Sequence, residues 1–178
     1  MNYDAVKQKA REFLSLYNPT GLVPFPFDAT IAALGDVSIK YYETPNDEIN
    51  GAIFLSDGVY NIVINTAKPP KRQYFTVAHE LGHYYLHRDK LTDEPGSGFI
   101  DFKSLESVSA FLRPDTTPEE EELAVQEKEA NTFAAEILMP EDKVREFYAL
   151  NGDVKDTADA FKVSTVAMAV RLEKLGLA

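Results

Sequence analysis

Apolar and polar positions along the chain change period several times, and each change marks an element. From residue 4 to 17 the apolar positions Ala5, Val6, Phe13, Leu14 and Tyr17 recur among charges, which predicts an amphipathic helix. Asn18-Pro19-Thr20-Gly21 ends it. Pro24-Phe25-Pro26-Phe27 is an extended entry into a second short helix, with Asp28 as its cap, Ala29–Leu34 as its body and Gly35 as its stop. Val37–Tyr42, Gly51–Leu55 and Tyr60–Asn65 then read as three short strands, the last two joined by the turn Ser56-Asp57-Gly58. Lys68-Pro69-Pro70-Lys71 breaks the sheet and opens a long helix that runs to His87.

Residues 89–117 are the least regular part of the chain, with Pro95-Gly96-Ser97-Gly98 among them. Helical spacing resumes at Thr117, which suits an N-cap, with Pro118 at the first helical position and Glu120 completing a capping box. This helix is expected to end at Met139-Pro140, and its acidic run Glu119–Glu122 reads as a solvated first turn. Further helices follow. Asp153–Phe161, a Lys162-Val163 turn, Ser164 as N-cap and Thr165–Leu175 make a helix-turn-helix-like pattern. The expected organisation is a domain over residues 1–150 with a helical extension, 151–178, packed on it as one compact unit.

Composition narrows the class. At 44% hydrophobic and 11% aromatic the chain has the material for a core rather than for disorder. Its net charge of −11 would repel phosphate backbones and anionic lipid over any broad face, leaving room only for a small local basic patch. The helix-turn-helix-like segment is formally neutral, so packing or partner docking suits it better than direct nucleic-acid binding. There is no cysteine, which excludes disulfides, thiolate ligands and a cysteine nucleophile. With no signal-like or membrane-spanning stretch, the expectation is a soluble cytoplasmic protein.

Candidate chemistry sits on the long helix, in His79-Glu80-Leu81-Gly82-His83. Two histidines four apart lie on one helical face and can hold one ion, while the residue after the first is placed to take a proton from a water the ion activates. A catalytic zinc needs a third protein ligand. His87, two turns beyond His79 or about 12 Å along the axis, cannot share so small an ion, so a carboxylate is required. On the helix after Thr117, Leu123, Ala130, Ala134 and Leu138 lie within about 60° of Glu127, which places Glu127 inside the apolar stripe; Glu122, Glu129 and Glu136 fall on the opposite face, expected to be solvated. A metal is a good partner for such a glutamate, although periodicity alone leaves open a buried cation or a place at the stripe's edge. Asn131, one turn on, is positioned to bond a ligand histidine.

The segments RQYFTVAHELGHYYLH and EKEANTFAAEILMP, with the order of elements before them, resemble the ImmA/IrrE family of zinc metallopeptidases over roughly residues 5–175. The resemblance implies an α+β, zincin-like fold: a small mixed or antiparallel three-stranded sheet packed on helices, with the helix-turn-helix-like helices at the end. It implies one catalytic Zn2+ per chain held by His79, His83 and Glu127, with Glu80 as general base and Asn131 beside the ligands. It also implies a protein substrate, typically a helix-turn-helix repressor of a prophage or mobile element. The long separation between His83 and Glu127 departs from the family pattern, so residues 92–116 look like an insertion: a lid, a rest for substrate, or an idle loop.

The expected activity is hydrolysis of a peptide bond, with Tyr60, Tyr84, Tyr85 and His87 as available oxyanion donors and the Tyr60–Asn65 strand as the edge to which substrate adds. The competing class is a metal-containing toxin–antitoxin or regulatory partner that works by binding with little proteolysis. Glu80 discriminates, since a purely structural zinc has no use for a free carboxylate beside an open position.

Overall fold

A computed structural model describes residues 2–94, 96–102 and 117–178. Helix α1 (Tyr3–Tyr17) buries Val6, Ala10 and Phe13, and the Asn2 side chain caps it by accepting from the Ala5 amide. Helix α2 (Phe27–Leu34) begins two residues earlier than expected: Pro26 is its N-cap position, Asp28 lies within the first turn, and no side chain caps it. Because Pro26 supplies no hydroxyl or carboxylate, the first amides lack the cap Asp28 would have given. Gly35 closes α2 at φ 76°, the left-handed conformation that glycine adopts without strain.

Strands β1 (Val37–Tyr42), β2 (Ile49–Ser56), β3 (Val59–Asn65) and β4 (Phe99–Phe102) form one mixed sheet in the order β1-β3-β2-β4. β1 runs parallel to β3, and β2 runs antiparallel to both β3 and β4. Asp57 and Gly58, both at positive φ, make the tight β2–β3 turn. Two expectations are corrected here. The sheet has four strands among the described residues, not three, because part of the apparent insertion adds β4. And β3 is central rather than an edge, since β1 and β2 occupy its two sides. Pro95 and 103–116, the rest of the expected insertion with its lid reading, lie outside the described residues.

Helix α3 (Pro70–His87) is buried without interruption from Thr76 to Tyr84, as a helix between two layers must be. Val77, Leu81 and Tyr84 pack on the sheet with Ile53, Ile62, Ile64 and Phe99. Ala78 faces a second core built from Val6, Ala10 and Phe13 of α1, from Phe133, Ala134 and Ile137 of α4 (Pro118–Leu138), and from the helices that follow. The Thr117–Glu120 capping box starts α4.

The chain then continues as α5 (Glu141–Asn151), α6 (Val154–Ala160) and α7 (Thr165–Lys174), with Asp153 and Ser164 capping the last two. Phe161, Val163, Met168 and Leu172 enter the core shared with α1 and α4. No described helix is long and apolar enough to cross a membrane.

Glu136 was expected on a solvated face but is buried: both of its oxygens accept from the Arg171 guanidinium at 2.7 Å, and Arg171 also donates to the Met139 carbonyl at 3.0 Å. The correction follows from α7, which covers the side of α4 that periodicity leaves open. Leu123, expected in the apolar stripe, is exposed instead, near the start of α4. Replacing Arg171 with Ala strands a buried carboxylate and is expected to destabilise the protein by about 3 kcal/mol in urea melts, whereas Glu136→Met with Arg171→Leu costs much less. Equal losses in the two variants would contradict this account.

Candidate metal centre

Helices α3 and α4 meet with almost no spacing. A Cβ built on Gly82 would stand 3.0 Å from the Ala130 Cα and 3.1 Å from its carbonyl oxygen, so only glycine lets the backbones come this close. Glu127, one turn before Ala130, thereby reaches the histidines. Its carboxylate oxygens lie 3.3 Å from His79 Nε2 and 3.2 Å from His83 Nε2, and the two Nε2 atoms lie 3.1 Å apart. All three side chains are buried, and they form a group of donor atoms able to hold an ion.

The donor set fits a zinc-like metal on two counts. Ligands about 2.0–2.1 Å from a tetrahedral ion are separated from one another by about 3.3 Å, close to all three observed separations. Beside them Glu80 is wholly buried, and neither carboxylate oxygen has a hydrogen-bond partner among the described residues. A lone buried carboxylate is costly, and chemistry supplied from outside the chain would offset that cost.

The hydrogen bonds behind the ligands settle which ring nitrogens are free. His79 Nδ1 lies 3.1 Å from the Asn131 carbonyl oxygen and donates to it, which turns Nε2 inward. A carboxylate only accepts, so His87 donates through Nε2 to Glu129, at 3.1 Å. Its Nδ1 can then accept from His83 Nδ1 at 3.2 Å, which leaves His83 Nε2 also facing the centre. His87 therefore acts behind a ligand rather than as one. Glu129, expected to be solvated, is half-buried on His87 because α3 covers that side of α4.

Burial works against a charged His79, but the hydrogen bond it donates to Glu127 and the charges of Glu80, Asp101 and Glu127 outweigh it and raise its pKa to about 9. Burial dominates at His83, which falls to about 4. Burial would also raise Glu127, yet its close contacts with the two histidines, His79 first, bring it to about 2. Glu80 is pushed well above the ordinary range, first by burial and further by the charges of Asp101 and Glu127, against the pull of His79.

Two residues of β4 belong to this setting and were not anticipated. Phe99 stacks on the His83 ring, centroids 4.1 Å apart and planes 14° from parallel. Asp101 is buried, accepting from Asn50 at 3.2 Å and from Thr76 at 3.1 Å. The tyrosines considered as oxyanion donors serve elsewhere: Tyr60 packs edge-on against Tyr84, the Tyr84 hydroxyl donates to Asp36, and Tyr85 packs on Phe13 and Phe133.

An α+β fold that gathers two histidines of an HExxH helix and a glutamate of a second helix around a buried carboxylate is a metallopeptidase-like domain. The chain belongs to the IrrE N-terminal-like domain family (Peptidase_M78), which matches residues 34–173. Among solved structures, a Mycobacterium tuberculosis transcriptional regulator is similar in fold, with a TM-score of 0.59 and 15% identity over 97% of this chain and 52% of that one. The chain thus spans about half the length of that protein, and a likeness at this identity speaks for the fold. No curated protein matches the chain in sequence.

The metal-free protein holds a proton that its unfolded chain would release. Above the ordinary histidine value of 6.5 an unfolded His79 is neutral, while the folded one stays charged up to about 9. The stability it contributes is complete below 6.5 and is lost as pH rises through about 9; Glu80 acts in the same direction, and the lowered His83 acts oppositely only below 6.5. In chelator the melting temperature is therefore expected to fall from pH 6.5 to 9, while the metal-loaded protein stays flat. Zinc uptake at neutral pH should release about one proton, read by calorimetry in buffers of different ionisation heat. A flat melting curve in chelator would count against the shared proton.

Proposed function

We propose that the chain is a zinc-dependent endopeptidase of zincin-like design that hydrolyses a peptide bond in a cytoplasmic protein. His79, His83 and Glu127 would hold the ion, and Glu80 is the general base. The observation that carries this reading is the Glu80 carboxylate, buried and without a hydrogen-bond partner among the described residues, beside three convergent donors. Structural zinc sites are closed by four protein ligands, whereas three ligands with a free carboxylate alongside match a catalytic site.

When bound, the ion lowers the pKa of water and polarises the scissile carbonyl. Glu80 takes the proton of the attacking water and delivers it to the leaving amine. Burial strengthens its hold on a proton, which suits a base that must keep one between the two transfers. Asn131 and the His87–Glu129 pair hold the two histidine rings with Nε2 inward. Gly51 on β2 keeps space above the base: a Cβ there would lie 3.5 Å from a Glu80 oxygen and closer still to Thr76 and the Val63 carbonyl.

The family resemblance supports a helix-turn-helix repressor of a prophage or mobile element as the substrate. The alternative, a toxin–antitoxin or regulatory partner acting by association, separates from it in one experiment. The zinc-loaded protein and its Glu80→Gln variant are incubated with the repressor encoded beside the gene, with and without chelator, and the products are weighed by mass spectrometry. We expect one discrete cut, abolished by chelator and slowed about 10³-fold in the variant, which should keep its zinc. Undiminished cutting by the variant removes Glu80 from its role, and binding without cutting by either protein favours the association reading.

A further inference from the structure

A groove of about 950 Å³ runs between α1, α4 and α7, away from the sheet. Its character is opposite to that of the chain, in which 29 acidic residues outnumber 18 basic ones. Lys7 and Arg11 of α1, Lys128 of α4 and Lys174 of α7 all line it, and none of the four makes an ion pair among the described residues. Elsewhere the surface cations are largely neutralised, as in Lys71–Asp159, Lys90–Glu122 and Lys143–Glu146. The two carboxylates lining the groove are already engaged, Glu136 by Arg171 and Glu141 by Arg145. Cations brought together from three helices far apart in sequence thus face one channel; only Arg11 feels a lining carboxylate, Glu141, which is itself paired with Arg145.

The channel runs behind the candidate centre, on the Nδ1 side of His79; His79, Glu80, His83 and Glu127 do not line it. Phe75 and Asn131 line it; Asn131 accepts from His79 Nδ1 at 3.1 Å, and the Phe75 ring centroid lies 6.4 Å from that of His79. Between the charges the lining is apolar, with Ala135, Met139 and the exposed Val170. We propose that this groove receives an acidic stretch of a substrate polypeptide, in which carboxylates alternate with small or apolar side chains, and holds it while a neighbouring segment occupies the metal centre. The proposal rests on the peptidase reading. A polypeptide fits better than duplex nucleic acid because the cations are interspersed with apolar surface and the net charge of −11 repels a long phosphate backbone. Lys7 and Arg11 precede the matched family region, so half of these cations are supplied by a helix outside it.

Binding can be measured apart from cleavage. The zinc-loaded Glu80→Gln protein is titrated into a fluorescein-labelled peptide alternating Glu with Leu and Ala, and into its Gln counterpart, with anisotropy as readout. The Glu peptide is expected to bind about tenfold more tightly, with an advantage that shrinks as salt rises. Adding Lys7→Glu and Lys174→Glu should abolish the advantage while the Gln peptide binds as before. Lys7→Gln with Lys174→Gln should reduce it by a smaller factor, and serves if charge reversal disturbs folding. Equal binding of the two peptides, an advantage that survives charge reversal, or duplex DNA displacing the Glu peptide would each overturn the proposal. Parallel digestion by the protein with Glu80 intact separates the two readings. Cutting without any preference for the Glu peptide keeps the peptidase and removes the acidic dock; a charge-dependent preference with no cutting keeps the dock and removes the peptidase.

Discussion

The contact between α3 and α4 at Gly82 and Ala130 is the constraint on which the centre depends. A glutamate side chain is short, and Glu127 meets both histidine nitrogens only because the two helix backbones nearly touch there. Any side chain at position 82 would push α4 outward, and the carboxylate would move with it. The sheet presses α3 from one side through Val77, Leu81 and Tyr84, while α1 and the C-terminal helices press α4 from the other. The packing of the whole domain thus sets one distance of functional consequence.

The same packing creates an electrostatic problem. His79, Glu80, His83, Asp101 and Glu127 are all buried within one region, where unscreened charge is costly. The protein meets this unevenly. Asp101 is satisfied by Asn50 and Thr76, and Glu127 by the two histidines, while Glu80 is left with neither. Stability alone would favour a Gln or an apolar residue at position 80. A group kept against its own solvation energy is a candidate for chemistry, and this is why Glu80 weighs more than the three donors in the proposed reading.

The strongest parts of the sequence are those where local rules suffice. The His79–His83 spacing, the Thr117 capping box, the Asp57-Gly58 turn and the caps at Asp153 and Ser164 are each specified within a few residues. What escapes is set by distant packing. β4 is only four residues, Phe-Ile-Asp-Phe, and pairing with β2 makes it a strand. Glu129 and Glu136 look solvated by helical periodicity because a single-stripe rule assumes one covered side, whereas α4 is covered by α3 and by α7 as well. Tyr60–Asn65 is central because β1 and β2 pair with its two edges, and a strand with both edges paired cannot accept a substrate.

Helix α4 contributes more than a ligand. Glu127 faces the centre, Asn131 one turn later fixes His79, and Glu129 between them reaches His87 and through it fixes His83. Periodicity places Glu129 away from Glu127, and for that reason it can orient a ring from behind while Glu127 approaches the other ring nitrogens from the front. Both histidine orientations therefore follow from the position of one helix, so a displacement of α4 would alter ligand distance and ring orientation together. Lys128 stands on the same turn and lines the groove shared with α1 and α7. An occupant of that groove would lie against the helix that carries Glu127 and Asn131, so docking there, as proposed, would be mechanically continuous with the geometry of the donor group rather than a separate property of another surface.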